Sequence, residues 1–399
     1  MPERIFITGF GLISCIGNNV QETLTSLLAG KPGTGPVRFI DSELSNDLWA
    51  GEVQKTMAEL FDMAGVPFTE GFSRNTLLGM IAAAEAYHHA GMDRHSNLKT
   101  GLISATTVGG MDRCELFYQD FLTNETRNAY IDSYDCADST ERIAAKLNIT
   151  DFVTTISTAC SSAANSVLLG ARMIRAGELD RVLAGGCESL TNFHLNGFNA
   201  LKILDPGPCR PFDKNRAGIN LGEGAAYLVL ESEKTLQTTG NKPYCELVGW
   251  GNACEAFHQT ASAPDGIGAY LAMQKALERS GLKPGDIDYI NAHGTGTDNN
   301  DISEGRAIMK LFGEHIPHVS STKQFTGHTT SAAGSTEAII SILALEHQLI
   351  WPNLNFTEKM DELEFIPVTR LLENQKVRHV MSNSFGFGGN DTSLIFSKL

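Results

Sequence analysis

Thr155-Ile156-Ser157-Thr158-Ala159-Cys160 runs from β-branched residues into small ones, and a long apolar stretch starts directly behind it. From about 161 to 176, Ala163, Ala164, Val167, Leu168, Leu169, Ala171, Met173 and Ile174 reach nearly every side of a helix. A helix that is apolar all round is buried, not laid on a surface. The same passage recurs in the second half of the chain. His318-Val319-Ser320-Ser321-Thr322-Lys323 is again a short β run entering small residues, and an apolar helix follows at about 331–349, with Ala332, Ala338, Ile339, Ile340, Ile342, Leu343 and Leu345.

Working outward, each buried helix is followed by a strand-like run, 180–186 and then 377–382, and by a closing run, 226–231 and then 393–398. Upstream, Ile5-Phe6-Ile7-Thr8-Gly9-Phe10-Gly11 and Glu246-Leu247-Val248-Gly249-Trp250-Gly251 are both β runs closing on Gly-aromatic-Gly. Alternating strands and helices repeated in this way predict an α/β protein of two similar halves, with mostly parallel sheets covered on both faces. The join falls in the polar stretch 234–242, dividing the chain into 1–240 and 241–399. The spacing is uneven, so the first half carries insertions. Residues 45–96 and 110–148 read as mainly helical, without an evident partner in the second half.

Composition narrows the function. The chain has 399 residues, enough for a large double domain, and 42% of them are apolar. Net charge is −15, from 31 Lys plus Arg against 46 Asp plus Glu, which argues against a general nucleic-acid binder. The longest apolar run, around 338–345, is far short of the ~20 residues that cross a bilayer. Met1-Pro2-Glu3-Arg4 leads almost directly into a strand, without a signal-like segment, so a cytoplasmic protein is expected. The eight cysteines form no Cys-x-x-Cys pair, which supports neither a zinc ribbon nor a redox motif.

Cys160 is the leading candidate for chemistry. It stands at a strand-to-helix turn, where free amide hydrogens and the helix dipole favour a thiolate nucleophile. His293 lies in Asn291-Ala292-His293-Gly294-Thr295-Gly296-Thr297, a loop of small and hydroxyl residues, and His328 lies in Phe325-Thr326-Gly327-His328. Both follow strands, at the carboxyl ends where reactive groups of open α/β sheets collect. Lys323 takes in the second half the place of Cys160 in the first. Asp301 and Glu304 open the next helix, and a Lys323–Glu304 pair is expected. Gly386, Gly388 and Gly389, with Phe385 and Phe387, form a flexible loop able to present an amide to an oxyanion and a ring as a gate. Cys160, His293 and His328 are zinc-ligand types but lack local metal-motif spacing. Gly9-Phe10-Gly11 lacks the third glycine of a dinucleotide fingerprint.

Taken together, these motifs resemble the β-ketoacyl-(acyl carrier protein) synthases, condensing enzymes of the thiolase-like fold. The resemblance spans nearly the whole chain. It rests on Ile7-Thr8-Gly9-Phe10-Gly11, Ser157-Thr158-Ala159-Cys160, Arg210-Pro211-Phe212-Asp213-Lys214-Asn215-Arg216, Gly222-Glu223-Gly224-Ala225, Asn291-Ala292-His293-Gly294-Thr295, Ser321-Thr322-Lys323 with Gly327-His328, and Asn383-Ser384-Phe385-Gly386-Phe387-Gly388-Gly389. It implies five layers (α-β-α-β-α), a homodimer and a Cys160-His293-His328 site that condenses an acyl thioester with malonyl-carrier protein. It also implies an oxyanion hole from the Cys160 and Phe387 amides, pantetheine contacts at Thr295 and Thr297, and support of the histidines by Lys323 and Glu304. No metal or organic cofactor is implied, since phosphopantetheine arrives on the carrier protein.

The chain departs from the family pattern at Gly388-Gly389-Asn390-Asp391, Ser161-Ser162, Ile219-Asn220-Leu221 and Phe198-Asn199-Ala200. These departures leave the acyl chain open between fatty, polyketide and polyene types, with Val108 and Phe198 as tunnel candidates. Two alternatives remain: a non-catalytic ketosynthase partner subunit, which would lack the nucleophile, and a CoA-dependent thiolase, which would use a second cysteine as base. A homodimer is the expected assembly, and a heterodimer with a ketosynthase-like subunit is the alternative. Carrier proteins are acidic, so Lys214, Arg216, Arg74 and Arg210 are the expected docking patch.

Overall fold

The computed structural model describes residues 3–44, 48–95 and 97–399. Met1 and Pro2 of the expected N-terminal run, and residues 45–47 and 96 of the expected helical stretch 45–96, lie outside the described residues.

The repeat is a repeat of structure. The first half runs β1 (Ile5–Ser14), α1 (Arg74–His89), β2 (Thr100–Ala105), α2 (Cys136–Leu147), β3 (Phe152–Ile156), α3 (Ser162–Arg175), β4 (Arg181–Glu188) and β5 (Gly224–Ser232). The second runs β6 (Cys245–Cys254), α4 (Ile267–Ser280), β7 (Tyr289–Asn291), α5 (Asp298–Phe312), β8 (His318–Ser320), α6 (Ala333–His347), β9 (His379–Gly386) and β10 (Asn390–Ser397). Strand order is β8-β7-β9-β10-β6 in one half and β3-β2-β4-β5-β1 in the other, the same permutation twice. In each set four strands share a direction and one, β5 or β10, runs against them. The sets meet at β1 and β6 through the pairs Phe6↔Glu246 and Ile7↔Cys245.

The first-half helices do have partners, contrary to the sequence expectation. α1 within 45–96 corresponds to α4, and α2 within 110–148 corresponds to α5. Their equivalence lies in how they pack. The Gly-aromatic-Gly motifs let α1 and α4 press onto β1 and β6: a Cβ at Gly11 would lie 2.2 Å from the Ala82 carbonyl, and one at Gly251 would lie 2.2 Å from the Ala272 carbonyl. What remains as insertion is chiefly the short helices of 111–132, the Asn192–Ala200 helix and a three-stranded sheet.

α3 and α6 pack on each other between the two five-stranded sets, which β1 and β6 join into one ten-stranded sheet, while the other four helices cover the outer faces. Every residue of α6 from Ala333 to Leu345 is buried. Ala164, Val167, Leu168, Ala171 and Ile174 of α3 share one cluster with Ile339, Ile342 and Leu343 of α6. Each large side chain there contributes roughly 1.5–3 kcal/mol by burial, so this central layer fixes the N-terminal end of α3 against β9 and β10.

Candidate active site

Cys160 precedes α3 at a turn made by Ala159, which adopts φ 51°, a left-handed conformation that costs a residue with a Cβ. The turn is held by the Thr158 N–H donating to Ser162 Oγ at 2.8 Å and the Ser162 N–H donating to the Ala159 carbonyl at 3.2 Å. The thiol is buried. Burial pushes it up to about 11, and Lys323 and the Phe387 N–H, which bonds to it, draw it only part of the way back. The lowered thiol expected from the helix end is therefore outweighed by desolvation, and the resting group is a thiol.

His293 follows β7 and is fixed from α5. Its N–H donates to Glu304 Oε1 at 2.9 Å, the Gly294 N–H donates to Oε2 at 2.8 Å, and Asn383 Nδ2 donates to Oε1 at 3.1 Å. Asp301 accepts from the Thr295 N–H at 3.1 Å and the Phe212 N–H at 2.7 Å, shaping the rest of the loop. The expected Lys323–Glu304 pair does not form, because both Glu304 oxygens are taken by the loop. Lys323 is fully buried, pairs with Glu337 of α6, donates to the His293 carbonyl and lies 3.3 Å from His293 Nδ1.

His328 is placed by one of the departures. Its N–H donates to the Asn220 carbonyl at 2.8 Å and its carbonyl accepts from Gly222 at 2.9 Å. The Asn220 side chain is itself tied to Cys209, Asp205 and Gly207. The two imidazoles meet edge to face at 5.3 Å. Burial, with Lys323 close by, holds both well below the ordinary histidine range, so both are neutral. A lysine cation at His293 Nδ1 makes that nitrogen the acceptor and leaves the proton on Nε2. The thiol sulfur and one ring nitrogen of each imidazole lie within 4.8 Å of one another.

Cys160, His293, His328, Thr295 and Thr297 line one cavity of about 180 Å³, with Phe198, Phe385, Gly386 and Phe387 forming its other wall. Phe198 stacks on Phe387 at 5.6 Å. Val108 does not line this cavity. It faces a second one of about 570 Å³ with Thr107, Met111, Ile131, Tyr134 and Phe193.

The four expected docking cations do not form a basic surface. Lys214 lies 3.3 Å from Glu358 and 3.1 Å from Asp361. The Arg216 side chain is only 6% exposed and bonds to the Thr297 carbonyl. Arg74 is drawn inward to Glu223 at 2.7 Å, and Arg210 leans 3.7 Å from Asp205. The exposed cation on the wall of the Cys160 cavity is Lys202.

Two family models match. "Beta-ketoacyl synthase, N-terminal domain" covers residues 2–235 and "Beta-ketoacyl synthase, C-terminal domain" covers 244–357. The chain belongs to the β-ketoacyl synthase family. Among curated relatives, the 3-oxoacyl-[acyl-carrier-protein] synthase 2 of Staphylococcus aureus is 33% identical across 99% of this chain and 98% of its own. Among solved structures, the ishigamide ketosynthase/chain length factor superposes with TM-score 0.91 and 32% identity over the full length of both chains. The ketosynthase ApeO, solved with its chain length factor ApeC from Xenorhabdus doucetiae, gives TM-score 0.84 and 30% identity over 100% of this chain and 98% of that one.

Three residues of this β-ketoacyl synthase escaped the sequence reading. Glu337 holds Lys323, and its signal was present: it is the one acid among residues 332–345. Glu188, wholly buried, accepts from Thr106 Oγ1 at 2.7 Å and Thr330 Oγ1 at 3.1 Å, tying the β2 end to the segment after His328. His194 is 6% exposed, and its ring lies edge-on to Phe198 at 6.4 Å, between the residues that line the two cavities. Neither of the last two stands in a pattern that a sequence alone singles out.

Proposed function

We propose that this enzyme transfers an acyl group from carrier-protein phosphopantetheine to Cys160 and condenses it with malonyl-carrier protein, giving a β-ketoacyl thioester, carbon dioxide and a free carrier thiol. Residues 1–240 supply the nucleophile and 241–399 supply both histidines. The observation that carries this reading is the buried thiol beside two neutral imidazoles in one cavity.

In the first half-reaction Cys160 Sγ attacks the thioester carbonyl, and its proton ends on the departing pantetheine thiol. The Cys160 and Phe387 amides are the donors for the tetrahedral oxyanion. The Phe387 N–H faces the sulfur, and glycine at 386 leaves room beside the Thr158 carbonyl, which an added Cβ would approach to 3.0 Å. In the second, malonyl thioester binds with its carbonyl toward His293 and His328, while Thr295 and Thr297 lie along the arm. Loss of carbon dioxide leaves an enolate. Neutral N–H donors stabilise that charge without first being deprotonated by it. The enolate carbon attacks the acyl-Cys carbonyl, and the expelled thiolate regains a proton. Lys323 and Glu337 keep the His293 tautomer; Glu304 and Asp301 keep its loop. Phe387, stacked on Phe198, gates the cavity between the two steps.

Docking of an acidic carrier is assigned to the surface around Lys202. The enzyme is a cytoplasmic dimer, homodimeric or paired with a chain length factor as in its structural relatives. Edge strand β3 and the exposed Leu116, Tyr118, Leu122, Ile131, Tyr134 and Phe193 support a subunit contact. Cys160→Gln tests the division of labour. It should lose condensation yet release carbon dioxide from malonyl-carrier, and loss of that release in the folded variant contradicts the histidine assignment.

A further inference from the structure

One departure from the family pattern has no place in this mechanism: Asp391, in Gly388-Gly389-Asn390-Asp391. Asp391 opens β10 opposite Phe385 of β9 and is 98% buried by its neighbours, with 2% of its surface exposed. It sits beside Gly386, the first residue of the loop that carries Phe387; the ladder partner of Gly386, Asn390, is its own chain neighbour. Glu255, just beyond β6, faces it. Asp391 Oδ2 and Glu255 Oε2 converge over Gly268 of α4, where an added Cβ would lie 2.2 Å from one and 2.6 Å from the other. Glu255 Oε1 accepts from the Ala263 N–H at 2.8 Å, whereas Oε2 is buried and has no partner among the described residues.

Two buried carboxylates that crowd one point cannot both stay charged cheaply, and a proton on Asp391, shared toward Glu255, relieves the pair. The loop is clamped by the same two strands. The Glu255 N–H donates to the Gly389 carbonyl at 3.0 Å, and the Gly388 N–H donates to the Gln259 carbonyl at 2.8 Å. We infer that Asp391 and Glu255 hold one proton between them and that this proton latches the Phe387 loop, making the two acids positioning residues for the oxyanion donor and the gate. The charged groups facing Asp391 are Glu255 and, from α5, Glu304; burial and both carboxylates push it up to about 8. Above that pH the two acids repel, the junction at Gly389 loosens and the Phe387 N–H leaves the Cys160 sulfur.

The consequence for acylation rests on the proposed role of Cys160; the shared proton does not. Two measurements on the intact enzyme separate them. Difference infrared spectroscopy between neutral and alkaline pH should show a protonated-carboxyl band in the wild type that disappears in Asp391→Asn. Its absence from the wild type overturns the inference whatever the acylation data show. Rapid-quench acylation of Cys160 should fall about tenfold per pH unit above the transition in the wild type. Asp391→Asn, with a permanently neutral amide, should hold its neutral-pH rate into the alkaline range. Glu255→Gln should also lose the alkaline fall and serves if the first variant does not fold. An alkaline fall retained in both folded variants overturns the latch.

Discussion

At the level of single residues, the proposed chemistry depends on keeping the two histidines uncharged. His293 and His328 are neutral because they are buried beside a lysine, so neither titrates near the ordinary histidine value of about 6.5. Two consequences follow for pH. Decarboxylation of malonyl-carrier by Cys160→Gln should not fall as pH drops through 6.5; a fall centred there contradicts the neutral-pair assignment. Stability moves the other way, since an unfolded chain binds protons at these positions that the folded one refuses. Each histidine therefore costs stability as pH falls below about 6.5, and denaturant midpoints should drop there less in His328→Asn than in the wild type. Replacing either imidazole by alanine removes one donor to the enolate and should lower the condensation rate about 10²–10³-fold, read under saturating carrier. Cys160, His293 and His328 were legible in the sequence because each stands among small residues downstream of a strand-like run. The Lys323–Glu304 pair was misread because its true partner, Glu337, arrives from a helix of the central layer.

Among the elements, what the sequence conveyed best was the absence of side chains. Gly11 and Gly251 are written into matching motifs, and the structure shows the same helix carbonyl 2.2 Å from each missing Cβ. Gly11→Ala and Gly251→Ala should each destabilise by about 1–3 kcal/mol, because backbone atoms must give way, and urea denaturation checks this. The relation of α1 to α4 and of α2 to α5 was hidden for a physical reason. An outer helix needs only an apolar face of the right width, so its sequence drifts while its packing stays. The central helices, closed in on all sides, have no such freedom. Ile340→Ala in α6 should cost about 2–5 kcal/mol, against near neutrality at exposed Lys146 of α2.

For the whole molecule, net charge carries no map of docking. The expected patch failed because pairing is a tertiary fact: Lys214, Arg216, Arg74 and Arg210 each meet a carboxylate from elsewhere in the chain. Lys202→Glu should raise KM for carrier-bound substrate several-fold, with little effect on a small thioester; equal effects on both would remove Lys202 from the docking surface. The central claim is that the two halves combine a nucleophile from one with two hydrogen-bond donors from the other. Intact-protein mass spectrometry after mixing with a panel of acyl-carrier thioesters tests it most directly. The account predicts one acyl adduct, mapped to Cys160 and absent from Cys160→Ala. An adduct that survives that substitution, or none with any chain from the folded protein, contradicts it.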